Sequence, residues 1–160
     1  MIVFINGSIN SGKSTLARLL ANKLENCAVL EIDSLRDFID WMPLEVAIPI
    51  NLENAVLLIK NFDKNGLNVV IPYPLSEKNY DFIKTNLSKL ESKIYYFTLA
   101  PKLEEVLKDR GKRKLDDWER ERIKYHYKTG INSPSFGKII DNTNQTPEET
   151  LKIILSEIDL

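Results

Sequence analysis

Short runs of β-branched and aromatic residues alternate along this chain with segments whose apolar residues recur every three or four positions. That pattern predicts an α/β protein, a parallel sheet with helices on both faces. The run "IVFIN" at positions 2–6 is the first strand and leads directly into a glycine-bearing loop. From Lys13 the period turns helical, with Leu16, Leu19, Leu20 and Leu24 on one side. "AVLEI" is the second predicted strand, ending at Asp33. Residues 34–41 predict a short helix stopped by Pro43, and Leu52, Ala55, Val56 and Ile59 mark a longer one that Gly66 ends. "LNVVI" and "IYYFTL" are the third and fourth strands. Between them Ser76 caps a helix carrying Ile83, Leu87 and Leu90, and after them Pro101 opens another. The stretch from Arg110 to Lys128 is dense in charge of both signs, which predicts a lid or an exposed helix. "KIID" is a short fifth strand. In "TPEETLKIILSEI", Thr146 is the cap, Pro147 takes the first helical position and Glu149 completes a capping box.

Length and composition bound what this pattern can be. At 160 residues the chain is about one domain long, with 43% hydrophobic and 28% charged residues, the balance of an ordinary globular protein. No apolar run reaches the roughly 18 residues that span a bilayer, and "MIVFINGS" lacks the basic start of a signal peptide. A cytoplasmic protein with no membrane partner is expected. One cysteine, Cys27, excludes an internal disulfide framework and a cysteine-rich zinc site, and reads as a buried apolar thiol at the start of a strand. The net charge of -1 argues against a surface that clamps nucleic acid throughout, since that affinity comes largely from Lys and Arg on phosphates.

The loop after the first strand carries the strongest chemical signal. "GSINSGKS" is G-x-x-x-x-G-K-S in full, placed between a predicted strand and a predicted helix, as the phosphate-binding loop requires. Gly7 and Gly12 let the backbone wrap an anion, so that successive N–H groups and the helix N-terminus point at a β-phosphate. Lys13 is expected between β and γ oxygens, and Ser14 on Mg²⁺. The whole run from Gly7 to Thr15, including Asn10 and Ser11, is expected to line the nucleotide.

Two further groups of residues fit phosphoryl transfer. "IDSLR" brings Asp33 to the carboxyl edge of the sheet, where ligands of open α/β sheets bind. A carboxylate there can accept the proton of an attacking hydroxyl or orient Mg²⁺, and Arg36, one turn on, can grip the acceptor or the transferring group. The competing accounts are a helix cap for Asp33 and a surface ion pair for Arg36. In "DRGKRK", Arg110 and Arg113 are expected to close over the triphosphate. Arg120 and Arg122 lie two apart on one helix and so point to different sides. The single histidine, His126, reads as plain surface.

With those parts in place the chain resembles, along essentially its whole length, the small P-loop kinases of the nucleoside monophosphate kinase and shikimate kinase type. The resemblance implies a three-layer P-loop NTPase fold with a five-stranded parallel sheet, residues 1–160 forming one kinase domain with a lid at about 110–128. It implies ATP on the first loop, an acceptor facing Asp33, an arginine-bearing lid, and a turn after the last strand that packs on adenine. That turn matches "DNTNQ", placing Asn142 and Thr143 at the base. "IDSLR" with "VVIPYPLSEKNYDFI" and the basic lid is similar to the kinase domain of phage polynucleotide kinase. "IDSLRDFIDWMPLE" is similar to part of chloramphenicol phosphotransferase. Such kinases often carry an acidic residue after the third strand, where this chain has Pro72, so Asp33 is expected to serve both metal and acceptor. The glycine cluster that shikimate kinase has after that strand is missing.

The expected activity is transfer of the γ-phosphate of ATP, with Mg²⁺, to a hydroxyl of a small molecule, by a monomer or homodimer. Residues from Arg36 to roughly Asn54, with Trp41 and Met42, and Tyr73 with Pro74, are expected to build the acceptor pocket. A polynucleotide 5′-hydroxyl kinase is the alternative enzyme. An ATP-binding switch with little transferase activity is the alternative from another class.

Overall fold

A computed structural model describes residues 1–109 and 114–159. Five parallel strands form one sheet in the order β2-β3-β1-β4-β5: β1 is Ile2–Gly7, β2 Cys27–Val29, β3 Asn68–Pro72, β4 Ile94–Leu99 and β5 Lys138–Ile140. The helices are α1 (Lys13–Ala21), α2 (Leu44–Lys64), α3 (Glu77–Leu87), α4 (Leu103–Val106), α5 (Asp117–Lys128) and α6 (Pro147–Leu155). A 3₁₀ segment, Ile32–Ile39, lies between β2 and α2. No single helix among the described residues is long and apolar enough to cross a membrane.

The central strand explains the layering. Side chains alternate faces along a strand, and β1 is apolar on both. Ile2 and Phe4 are buried with Leu52, Ile59 and Ile83 of α2 and α3 on one face. Val3 and Ile5 are buried with Leu16, Leu20, Leu151 and Ile154 of α1 and α6 on the other. In register, Ile5 stands opposite Pro72 of β3 and Phe97 of β4, so the loops after all three strands leave from the same edge. A third cluster, Val106, Leu115 and Ile123, joins α4 and α5 to Ile9 of the first loop.

Three expectations about elements change. The second strand is only Cys27–Val29, and Asp33 belongs to the first turn of the 3₁₀ segment instead of ending a strand. Pro43 stands at the N-cap of α2, which runs through Pro49 to Lys64, because a proline before the first turn has no N–H to lose from the helix. The charged stretch is not simply exposed, since α5 buries Ile123 and His126. Cys27 opens β2 as expected but is only half-buried.

Candidate active site

Asn6, at the end of β1, sets the base of the site. Its amide donates to Thr98 Oγ1 and to the Ile131 carbonyl, each at 3.0 Å, and its Oδ1 accepts from Gly7 N at 2.7 Å and Leu75 N at 2.8 Å. All four side-chain positions are filled, so this fully buried amide ties the phosphate loop to β4, to the turn after α5 and to the β3–α3 connection. Its place in the strand, read as one more strand residue, hides this role.

The loop itself needs its glycines. Gly7 has φ 143°, and a Cβ there would lie 2.7 Å from both the Leu99 carbonyl and Ser11 Oγ. Gly12 has φ 99° and opens α1, whose N-terminus the loop wraps. Asn10 also adopts positive φ, 63°, and its amide is held by the carbonyls of Val106 at 2.9 Å and Lys108 at 3.0 Å. Its side chain thus anchors the loop tip to the end of α4. Lys13 Nζ donates to the Ser8 carbonyl at 2.6 Å.

Three cavities surround this loop. The first, about 350 Å³, is walled by Asn10, Gly12, Lys13, Ser14 and Thr15 of the loop, with Glu31, Asp33 and Pro72 facing them. The second, about 250 Å³, runs from Ser11 and Gly12 to Asn142, Thr143 and Gln145 after β5. Asn142 donates to the Ser11 carbonyl at 3.1 Å, while its own Oδ1 is buried without a partner. Gly7 lines neither cavity and acts through the loop's shape. The third and largest, about 540 Å³, lies between the 3₁₀ segment, α2 and α5. Asp33 belongs to the walls of both the first and the third.

Charge in the site follows from this packing. Asp33 keeps solvent contact through the open cleft, but protein crowds it on the other sides. Desolvation therefore raises its carboxyl above the usual aspartate range, against the pull of Lys13. Tyr73, buried beside it, is pushed well above the normal phenol range by desolvation and then by the Asp33 charge. His126, which was expected at the surface, is 4% exposed and stands 3.2 Å from Ser8 Oγ through Nδ1. Burial, then the nearby Arg122 and Lys13 cations, lowers its pKa to about 4, so the ring is neutral at pH 7.

The site also differs from expectation in its acids and arginines. Pro72 does face the first cavity, but Glu31, just ahead of the 3₁₀ segment, supplies a second carboxylate there. The Ser14 hydroxyl donates to Glu31 Oε2 at 3.4 Å. Among the described residues no group of three or more His, Cys, Asp and Glu converges on one point. Mg²⁺ does not need such a cage, because it takes one or two carboxylates with waters and substrate phosphates, and the hard oxygens of Ser14, Glu31 and Asp33 fit it. Arg110 and Arg113 lie outside the described residues. Arg120 turns away, donating to the Leu107 carbonyl at 2.6 Å and to Asp109 at 2.9 Å. Arg122 and Arg36 both line the third cavity. Tyr73 and Pro74 line it too, whereas Trp41 is 76% exposed and lies outside it, as does Met42.

No protein-family model matches the sequence, and no curated protein does. The fold recurs in solved P-loop kinases. A sugar kinase from Janibacter sp. HTCC2649 is 16% identical with a TM-score of 0.72, over 97% of this chain and 92% of that one. The tunicamycin resistance protein of Deinococcus radiodurans is 18% identical with a TM-score of 0.68, over 99% and 95%. The Mycobacterium tuberculosis APS kinase CysC, solved with AMPPNP and APS, is 18% identical with a TM-score of 0.66, over 97% and 95%. At such identities the likeness carries the fold and its topology.

Proposed function

We propose that this chain is an ATP-dependent kinase that moves the γ-phosphate of ATP to a hydroxyl of a small molecule. The observation that carries the proposal is the double position of Asp33, in the wall of the phosphate-loop cavity and of the larger cavity beside it. A group that must touch both a γ-phosphate and an acceptor hydroxyl belongs at that junction. The solved neighbours include kinases of sugars and of APS by name, which supports the same class of reaction.

In this reading the triphosphate lies along the loop N–H groups, and Lys13 leaves the Ser8 carbonyl to bridge β and γ oxygens. The base lies over Asn142 and Thr143, where the unpartnered Asn142 Oδ1 accepts a hydrogen bond from an exocyclic amine. Ser14 and Glu31 would hold Mg²⁺, with Asp33 as a further oxygen, and the ion would supply neutralisation of developing negative charge. The acceptor oxygen attacks the γ-phosphorus as its proton passes to Asp33. The bond from γ-phosphorus to the β-bridging oxygen breaks, and ADP departs.

The test is to incubate the protein with γ-labelled ATP, Mg²⁺ and a panel of sugars, polyols, nucleosides and their acidic derivatives. Label should appear on a hydroxyl of one compound and should not in Lys13→Ala. Release of label only as inorganic phosphate would instead favour a slow ATP-hydrolysing switch.

A further inference from the structure

The larger cavity holds two guanidinium groups that, among the described residues, make no ion pair with a carboxylate, although the charge of Arg122 is felt at Asp33. Arg36 enters it from the 3₁₀ segment and Arg122 from α5. Asp33 and Asp37 line the same space, yet among the described residues neither arginine forms an ion pair with them or with any other carboxylate. Arg122 rests against the Tyr125 ring, 5.0 Å from its centroid, and Arg36 Nε is buried with no hydrogen-bond partner. On the same wall Asn51 is 5% exposed, and its Oδ1 is likewise buried and unpartnered. Buried polar groups are nearly always paired, because an unmet donor or acceptor gives up its hydration for nothing. Here two unmet donor or acceptor groups and two arginines without a direct ion pair share one cavity, and a bound molecule that closes the cleft is what would complete them.

We propose that the acceptor is an anionic small molecule, with a phosphate or carboxylate held by Arg36 and Arg122 and a hydroxyl or N–H of the same molecule donating to Asn51. The guanidinium fork matches the two oxygens of such a group, whereas a neutral polyol gives neither arginine a direct ion pair. A direct ion pair between Asp33 and either arginine would weaken Asp33 as acceptor of the reacting hydroxyl's proton. The cavity of about 540 Å³ has room for a molecule that spans from these arginines to Asp33. The inference rests on the kinase reading for the role of Asp33.

Trp118 lines the cavity and Trp41 does not, so a Trp41→Phe variant leaves one tryptophan as a reporter of occupancy. Its fluorescence would be followed, with AMPPNP present, on adding matched probes: ribose 5-phosphate against ribose, gluconate against glucitol, and CMP against cytidine. The phosphate and carboxylate pairs distinguish the two sources of charge. At least one charged probe should bind about tenfold to a hundredfold more tightly than its neutral counterpart, as charge-assisted bidentate bonds imply. That preference should be lost in Arg36→Gln or in Arg122→Gln, with AMPPNP affinity retained. Neutral probes binding as well as charged ones, no charged probe binding at millimolar concentration, or a preference that survives both substitutions would overturn the inference. Label transfer from ATP is read separately. Charged binding without transfer sinks the kinase reading and leaves the anion site standing, while transfer confined to neutral probes does the reverse.

Discussion

The hydroxyl of Ser8 and Nδ1 of His126 meet 3.2 Å apart beneath the phosphate loop, both shielded from water. Through this contact α5 is joined to the loop whose Ser8 carbonyl receives Lys13. The same helix presents Arg122 and Trp118 to the larger cavity, so one rigid element touches both halves of the site.

A neutral buried histidine makes stability depend on pH. The folded pKa of about 4 lies below the unfolded value of 6.5, so between those two the unfolded chain binds the extra proton. Stability should therefore fall as pH drops from 6.5 to 4, by on the order of 3 kcal/mol from this group alone. Urea unfolding across that range should show a flatter profile for His126→Gln than for the native chain. Parallel profiles would mean that the ring is protonated in the folded protein.

Asp33 acts on stability in the opposite sense. Its folded pKa is raised, so the charged form present near neutrality opposes folding, and the effect grows as pH rises through the folded value. Without nucleotide, Asp33→Asn should melt at a higher temperature than the native chain at pH 8, and the gap should close at pH 4. A lower melting temperature for the variant at pH 8 would show that the carboxylate stabilises the fold, as a helix cap does.

Glu31 should govern the metal requirement. Its carboxylate faces the Ser14 hydroxyl across 3.4 Å, and its other oxygen is 3.8 Å from Arg18 on the surface. In Glu31→Gln the Mg²⁺ concentration for half-maximal turnover should rise by about tenfold or more, the scale seen when a metal-orienting carboxylate is lost. An unchanged Mg²⁺ profile would assign the ion to Ser14 and Asp33 alone.

The glycines after α5 differ in what they tolerate. Gly137, φ 68°, precedes β5 directly, and a Cβ there would run into the backbone carbonyl of Tyr96 and lie 2.7 Å from its Cβ. Gly130, φ 81°, meets only Ser133 Oγ at 3.9 Å. Gly130→Ala should cost about 1 kcal/mol, the left-handed backbone alone. Gly137→Ala should cost several times that, since it also pushes β5 from β4. Denaturant midpoints of the two variants provide the comparison.

The parallel sheet and most helices were legible because their signals are local: period-two and period-3.6 apolar spacing, Ser76 and Thr146 as caps, and a complete G-x-x-x-x-G-K-S. The remainder depends on contacts between distant residues. His126 sits among charged neighbours in sequence, and only the packing of α5 on the phosphate loop removes it from water. Glu31 looked like part of the second strand, because "AVLEI" is apolar enough to extend it, yet pairing stops at Val29 and the chain turns its carboxylate to Ser14. Which of Arg120 and Arg122 faces the cleft follows from the rotation of α5, and Asp109, a partner of Arg120, settles that. Asn6 carried no signal at all, since its four partners are scattered from Gly7 to Ile131.

The most direct test is phosphoryl transfer by Asp33→Asn, measured at saturating ATP and Mg²⁺ with the best acceptor from the panel. The substitution keeps the shape of the side chain and removes the proton acceptor at the junction of the two cavities. Transfer should fall by about 10²–10⁴, the contribution of a positioned general base, while ATP affinity stays within a few-fold of native. Transfer at the native rate would contradict the account, leaving Asp33 as a wall residue and the chemistry to other groups.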